Sequence, residues 1–128
     1  MTDKVIEKKL IGDVCWRSWD GLLPAIFFEL GKKKDKRTGE YSICFDTCPW
    51  QIFNNDNEIA NSKNSEKGID EVLPIFIGQT LTNFEFNHND FIITATFDKL
   101  KIVAYLNEEK DTCYILSPDN KKAIYSKQ

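Results

Sequence analysis

The lone histidine and the four cysteines are the side chains whose types most readily do chemistry. A thiol becomes a nucleophile when an imidazole beside it takes its proton. Four thiolates, often at Cys-x-x-Cys spacing, close around zinc. Here His88 stands in a polar run, Asn87-His88-Asn89-Asp90, whereas Cys15, Cys44, Cys48 and Cys113 fall in or beside apolar, strand-like stretches. Cys44 and Cys48 have three residues between them rather than two. On one strand they would sit about 13 Å apart, beyond the roughly 7 Å between Cα atoms that a disulfide spans. They could meet only if the chain turns before Pro49. The pattern predicts reduced cysteines, mostly small core residues, a turn histidine, no metal centre and no cofactor, with a four-cysteine site assembled from distant strands as the alternative.

Carboxylates are the next chemical resource. Asp13, Asp20, Glu29, Asp46, Glu85 and Asp98 could supply a pair for a glycosidase or a metal-dependent nuclease. Separation along the chain does not say which of them meet. There is no Gly-x-Ser-x-Gly nucleophile elbow. The six glycines are scattered rather than gathered in a phosphate loop. The chain is therefore read as not an enzyme, with a small hydrolase using an unidentified carboxylate pair as one alternative.

Binding residues are easier to nominate. Lys32 to Arg37 is the basic cluster, with Phe28 and Tyr41 beside it, and such a loop on a barrel could hold a small ligand or a single-stranded nucleic acid. A formal charge of -3 argues against a general preference for nucleic acid. Trp16-Arg17-Ser18-Trp19-Asp20-Gly21 brings together two residue types enriched at interface hot spots. Two tryptophans on opposite faces of one strand cannot both enter the same core. Either the fold buries both separately, which is favoured by how well Trp fills cores, or one packs outside, against the N-terminal segment or against a partner. Asn107-Glu108-Glu109-Lys110-Asp111 is a polar turn that could also meet a basic partner. The partner-binding candidates are Trp19, Asp20, Glu108, Glu109 and Asp111.

The elements that must position these residues are mostly strands. Alternation predicts strands from Val14 to Trp19 and from Ala25 to Leu30 after the break at Pro24, with a hairpin to Tyr41–Phe45 through the basic tip. Val14, Trp16 and Ser18 are expected on one face, and Cys15, Arg17 and Trp19 on the other. Trp50–Phe53 and Glu58–Ala60 flank Asn54-Asn55-Asp56-Asn57, whose residues tolerate left-handed turns. Asn61 to Gly68 reads as a loop. Ile69, Val72, Leu73 and Phe76 recur at spacings of three and four, so one short helix is expected near residues 69–76, limited by Pro74. The last third predicts an antiparallel meander of about five strands: 81–86, 91–98, 99–106, 112–117 and 122–126. Residues 1–12 show no clear period.

The expected fold is therefore mainly β with a little α: one domain over residues 1–128. It should be a strongly bent antiparallel sheet or barrel-like sandwich with the short helix at one end. Nine Phe, four Tyr and three Trp are enough to fill a core in a chain of this size without staples. No apolar run makes a signal peptide or a membrane span, so the cytoplasm is the expected location.

Several segments together resemble a group of small, largely uncharacterised bacterial proteins. They are Trp50-Gln51-Ile52-Phe53, Ile59 with Ser62, Ile77-Gly78-Gln79-Thr80-Leu81, Phe97-Asp98-Lys99-Leu100-Lys101-Ile102, Tyr114-Ile115-Leu116 and Ala123-Ile124-Tyr125. The likeness spans roughly residues 48–126. It departs from the group at Lys63, where an acidic residue is usual, and at Tyr114, where Trp is usual. Such proteins look similar to solitary immunity proteins encoded beside secreted toxins. The resemblance implies a non-catalytic, protein-binding domain that neutralises a toxin by occluding its active site. Acidic side chains would mimic phosphates and one or two aromatics would serve as anchors. It brings no catalytic residues with it.

Overall fold

The computed structural model describes residues 2–21, 25–36, 38–63, 66–119 and 121–127. Some sequence expectations therefore fall on undescribed positions: the break at Pro24, the contributions of Arg37 and Asn120 to their turns, and residues 64 and 65 of the expected loop. The chain opens with a helix, α1 (Thr2–Leu10). Strands β1 (Cys15–Asp20), β2 (Ile26–Lys33), β3 (Gly39–Phe45), β4 (Trp50–Asn54) and β5 (Asn57–Asn61) follow. A second helix, α2 (Glu66–Val72), runs into a 3₁₀ turn over Leu73–Phe76. The remaining strands are β6 (Leu81–Asn87), β7 (Ile92–Phe97), β8 (Leu100–Tyr105), β9 (Cys113–Leu116) and β10 (Lys122–Tyr125).

The strands form two antiparallel five-stranded sheets, ordered β1-β2-β3-β9-β10 and β5-β4-β8-β7-β6. Neither sheet closes on itself, so the architecture is an open sandwich rather than a barrel. Inward residues of both sheets share one core. Phe28 of β2 and Phe97 of β7 meet across it at 5.7 Å, and Phe76 packs edge-on against both. Each buried ring removes on the order of 150–250 Å² from water, which is how a chain this short gains a stable two-layer fold. The sheets are stitched at one corner. Val14 bridges Thr80, Gly12 N–H donates to Leu81 O at 2.8 Å, and Leu81 N–H donates to Asp13 O at 2.9 Å.

Several expectations hold, and the reasons are local. Asn55 and Asp56 both take positive φ, 50° and 70°, and make the two-residue turn between β4 and β5. Ile69, Leu73 and Phe76 are buried on one stripe of α2 and its 3₁₀ extension, against β5 of one sheet and β1 of the other. Pro74 ends the α-helical hydrogen bonding there. That helix starts at Glu66, inside the stretch expected to be loop.

Other expectations are corrected. The five-strand meander breaks after β8. The chain crosses to the other sheet, and β9 pairs with β3 (Ile43 opposite Ile115) instead of with β8. The crossing is held by Asp111. Its Oδ2 accepts the amides of Asn107 and Glu108, each at 2.9 Å, and the residue is 2 % exposed. In β1 the register slips between Cys15 and Arg17, so Trp16 is an extra residue. Cys15 thus enters the core while Arg17 and Trp19 face outward, not the shared face that plain alternation predicts. Residues 2–10 form a helix although they show no clear period. Ile6 and Leu10, four apart, face the core, and Glu7 accepts from the Tyr125 hydroxyl at 2.6 Å. Tertiary contact supplies what the short apolar stripe lacks.

Candidate functional site

The outer face of the β1-β2-β3-β9-β10 sheet carries the most distinctive arrangement. Strand register places Trp19 opposite Phe27, Phe27 opposite Cys44, Cys44 opposite Tyr114, and Tyr114 opposite Ile124. One row of side chains therefore crosses all five strands. The neighbouring row runs Arg17, Glu29, Ser42, Leu116, Lys122. Trp19 and Phe27 stack nearly parallel with centroids 3.9 Å apart. The Arg17 guanidinium lies 4.7 Å from the Trp19 ring, and the Lys122 ammonium lies 4.6 Å from the Tyr114 ring. Trp19, Phe27, Tyr114 and Leu116 are half-buried, and Ile124 is 60 % exposed.

Glu29 organises this face from beneath. It is 1 % exposed although it projects on the solvent side of the sheet. Its Oε2 accepts from the Trp19 indole at 2.9 Å. Its Oε1 accepts from Gly39 N–H at 3.1 Å and from the Ser42 hydroxyl. A buried carboxyl group needs such donors to offset its desolvation. Glu29 is thus the floor of the face, and it fixes the Trp19 ring. Trp16 lies beside this corner, across Lys33 and Gly39, and its buried indole nitrogen has no hydrogen-bond acceptor among the described residues. Neither Trp16 nor Trp19 belongs to the shared core, whereas Trp50 does, at 1 % exposure.

The structure places Trp19 and Asp20 at the end of the sheet from which the crossing segment departs. Asp20 pairs with Ile26, Ile26 with Phe45, and Phe45 with Cys113. Asp46 N–H donates to Thr112 O at 3.0 Å, and Thr47 Oγ1 donates to Lys110 O at 2.5 Å. Three strand spacings separate β1 from β9, about 14 Å, so Asp20 and the exposed Glu108 and Glu109 share one end of the molecule. Asp111, also nominated as a partner contact, is turned inward and acts as the turn's acceptor instead.

The other chemical candidates are dispersed. His88 is exposed at the β6–β7 tip, 4.5 Å from the Phe86 ring. All four cysteines are buried and reduced. Burial pushes the Cys15, Cys44 and Cys48 thiols up to about 12 and Cys113 well above the usual range. Among the described residues no cluster of three or more His, Cys, Asp or Glu is arranged to hold a metal ion. Two carboxylates that do meet are Asp13 and Glu40. An oxygen of each lies within 3.2 Å of where a Cβ on Gly31 would stand. Burial, then the Glu40 charge, raises the Asp13 pKa. Sequence alone nominated Asp13 without Glu40, because the juxtaposition depends on the positive φ of Gly31, 78°, in β2.

The basic tip is present, with Lys32, Lys33, Lys34 and Lys36 exposed. Its proposed stacking partners are not: Phe28 is 0 % exposed in the core and Tyr41 is 8 % exposed. Ile11, Val14, Ile75 and Ile77 are further exposed aliphatics; Val14 and Ile77 lie beside the seam between the sheets. Among the described residues, no helix is long and apolar enough to cross a membrane.

No family model, curated protein or solved structure matches this chain.

Proposed function

We propose that this is a protein-binding domain that works through the outer face of its β1-β2-β3-β9-β10 sheet, and that its partner is a toxin it occludes. The row of Trp19, Phe27, Tyr114 and Ile124, which joins β1 and β2 to β9 and β10 across the buried Cys44 of β3, carries this reading. Aromatic anchors held rigid before binding lose little entropy on docking, and Glu29 with Arg17 holds Trp19 in that way. Asp20, Glu108 and Glu109 at one end of the face supply negative charge suited to a basic, nucleic-acid-cutting cleft. The resemblance of residues 48–126 to immunity-like proteins points to the same partner class.

The test is to purify the protein with the product of the adjacent reading frame and measure binding and toxicity. The expected result is a complex of about nanomolar Kd, about −12 kcal/mol, that rescues cells expressing the neighbour. Trp19→Ala should weaken it by roughly 2 kcal/mol or more, and Ile124→Glu should weaken it too. Val14→Lys, at the seam between the sheets, should leave it unchanged. A neighbour without toxicity or affinity ends the toxin reading. A tight complex indifferent to Trp19 and Ile124 moves the interface to another face.

A further inference from the structure

A groove of about 650 Å³ runs between α1 and the β9–β10 turn, on a different part of the surface from the Trp19 end of the sheet. This volume is in the range that holds small ligands. Its apolar side is made by Val5, Ile6 and Pro118. Its charged rim is made by Lys9 on α1 and by Lys121 and Lys122 across from it. We infer that this groove binds a small anionic amphiphile, with a carboxylate or phosphate head between Lys9 and Lys121 and an alkyl or aryl tail along Val5, Ile6 and Pro118.

Three observations carry the inference. The first is charge. The acid in the lining, Asp119, already accepts from the Ser117 hydroxyl and faces the Lys121 ammonium at 3.7 Å. The Lys122 ammonium is turned to the Tyr114 ring at 4.6 Å, so the ammonium groups of Lys9 and Lys121 confront one carboxylate, and it is engaged. The Lys121–Asp119 pair is exposed, and exposed pairs contribute little, so Lys121 can turn to a ligand at small cost. The second is exposed apolar surface. Val5 is 52 % exposed on the helix wall, and a tail laid against it would remove that surface from water. The third is preorganisation. The Lys34 ammonium donates to the Pro118 carbonyl at 3.1 Å and pins the β9–β10 turn to the β2–β3 tip. The Tyr125 hydroxyl donates to Glu7 and holds α1 in place. Both walls are thus fixed before a ligand arrives. Tyr41, largely buried, also lines the groove. Burial, followed by Glu40, Asp13 and Asp119, raises its pKa, so it remains a neutral phenol able to donate to an anion.

The test is to titrate ¹⁵N-labelled protein with sodium decanoate below its micellar concentration. Decyl phosphate, decylammonium, 1-decanol and inorganic phosphate are titrated in parallel. Saturable amide shifts confined to residues 5–9, 41 and 117–122 are expected with decanoate and decyl phosphate. Weak or no shifts are expected with the other three. The tighter of the two anions identifies the head as carboxylate or phosphate. Lys9→Glu and Lys121→Glu should each weaken binding about tenfold. Asp119→Asn should tighten it. All three positions are exposed, and an unchanged circular-dichroism melt shows that each variant is folded. Equal shifts from decylammonium, shifts scattered over the surface, or indifference to Lys9→Glu and Lys121→Glu in folded protein would overturn the inference. So would binding to phosphatidylglycerol vesicles without binding to monomeric decanoate, which would make this a membrane-facing surface.

Discussion

The indole nitrogen of Trp19 donates to Glu29 Oε2 at 2.9 Å, so an outward tryptophan on an edge strand is anchored to a carboxyl group buried on the neighbouring strand. The same carboxyl group accepts from Gly39 N–H and from the Ser42 hydroxyl. One side chain thus links β1, β2 and β3 on the face proposed to bind a partner.

Replacing Glu29 should therefore affect both stability and the face. Glu29→Leu leaves the buried Gly39 amide and Ser42 hydroxyl without their acceptor, while Trp19 can turn to water. Each unmet buried donor costs about 1–3 kcal/mol, so urea unfolding should show a loss of about 2–4 kcal/mol. Glu29→Gln keeps one acceptor oxygen and should lose less. Trp19 emission should shift to the red in the Leu variant. An unchanged unfolding midpoint in Glu29→Leu would show that the carboxyl group is not the keystone described here.

The thiols offer a second check. Burial raises all four cysteine pKa values, with Cys15, Cys44 and Cys48 at about 12. The thiolate is the reactive form, so at pH 8 the folded protein should react with a disulfide reagent only as fast as it opens. Adding denaturant should release four equivalents, matching the four free cysteines. A rapid native-state equivalent would identify a cysteine reachable from solvent and reopen thiol chemistry.

Much of this architecture was legible in the sequence, for definite reasons. Ile93, Ala95 and Phe97 alternate inward because β7 has one face on the core, and Asn55-Asp56 announces its turn because both residues accept positive φ. The pairing of β9 with β3 was not legible, because the partners lie far apart in the chain, as Ile43 and Ile115 do, and alternation says which face a strand buries, not which strand it joins. The Trp16 bulge hid for a related reason: one extra residue reverses the facing of everything before it. Of the candidate site, Trp19 could be nominated by type. Its companions Phe27, Tyr114 and Ile124 are defined only by register across strands that the sequence leaves unordered.

Gly39 illustrates a constraint that sequence does not reveal. A Cβ added there would stand 2.5 Å from Leu30 O and 2.7 Å from Trp16 Nε1. The first contact is backbone and cannot swing away. Gly39→Ala should therefore push β3 from β2 and disturb the Gly39–Glu29 hydrogen bond, at a cost of about 1–3 kcal/mol. Thermal unfolding should register the loss, and Trp16 emission should change with it. A variant as stable as the parent would mean that the register shift between Leu30 and Lys33 in the β2–β3 pairing absorbs the methyl group.

Asp13 gives the pH dependence a sign. Its folded pKa lies above the ordinary aspartate value of 3.8, first through burial and then through Glu40. Between the unfolded and folded pKa values the native state binds more protons than the unfolded state, so stability falls as pH rises through that window. Above it, the ionised Asp13 carries its full penalty beside Glu40. Asp13→Asn removes that penalty while leaving the backbone bonds to Leu10 and Leu81 in place. The variant should therefore melt higher than the parent at pH 7, and the difference should disappear as pH drops below 3.8. Melting curves from pH 3 to pH 8 decide the matter. A difference that grew on acidification would mean that the Asp13 charge is stabilised in the fold, opposite to the direction its burial and its neighbour impose.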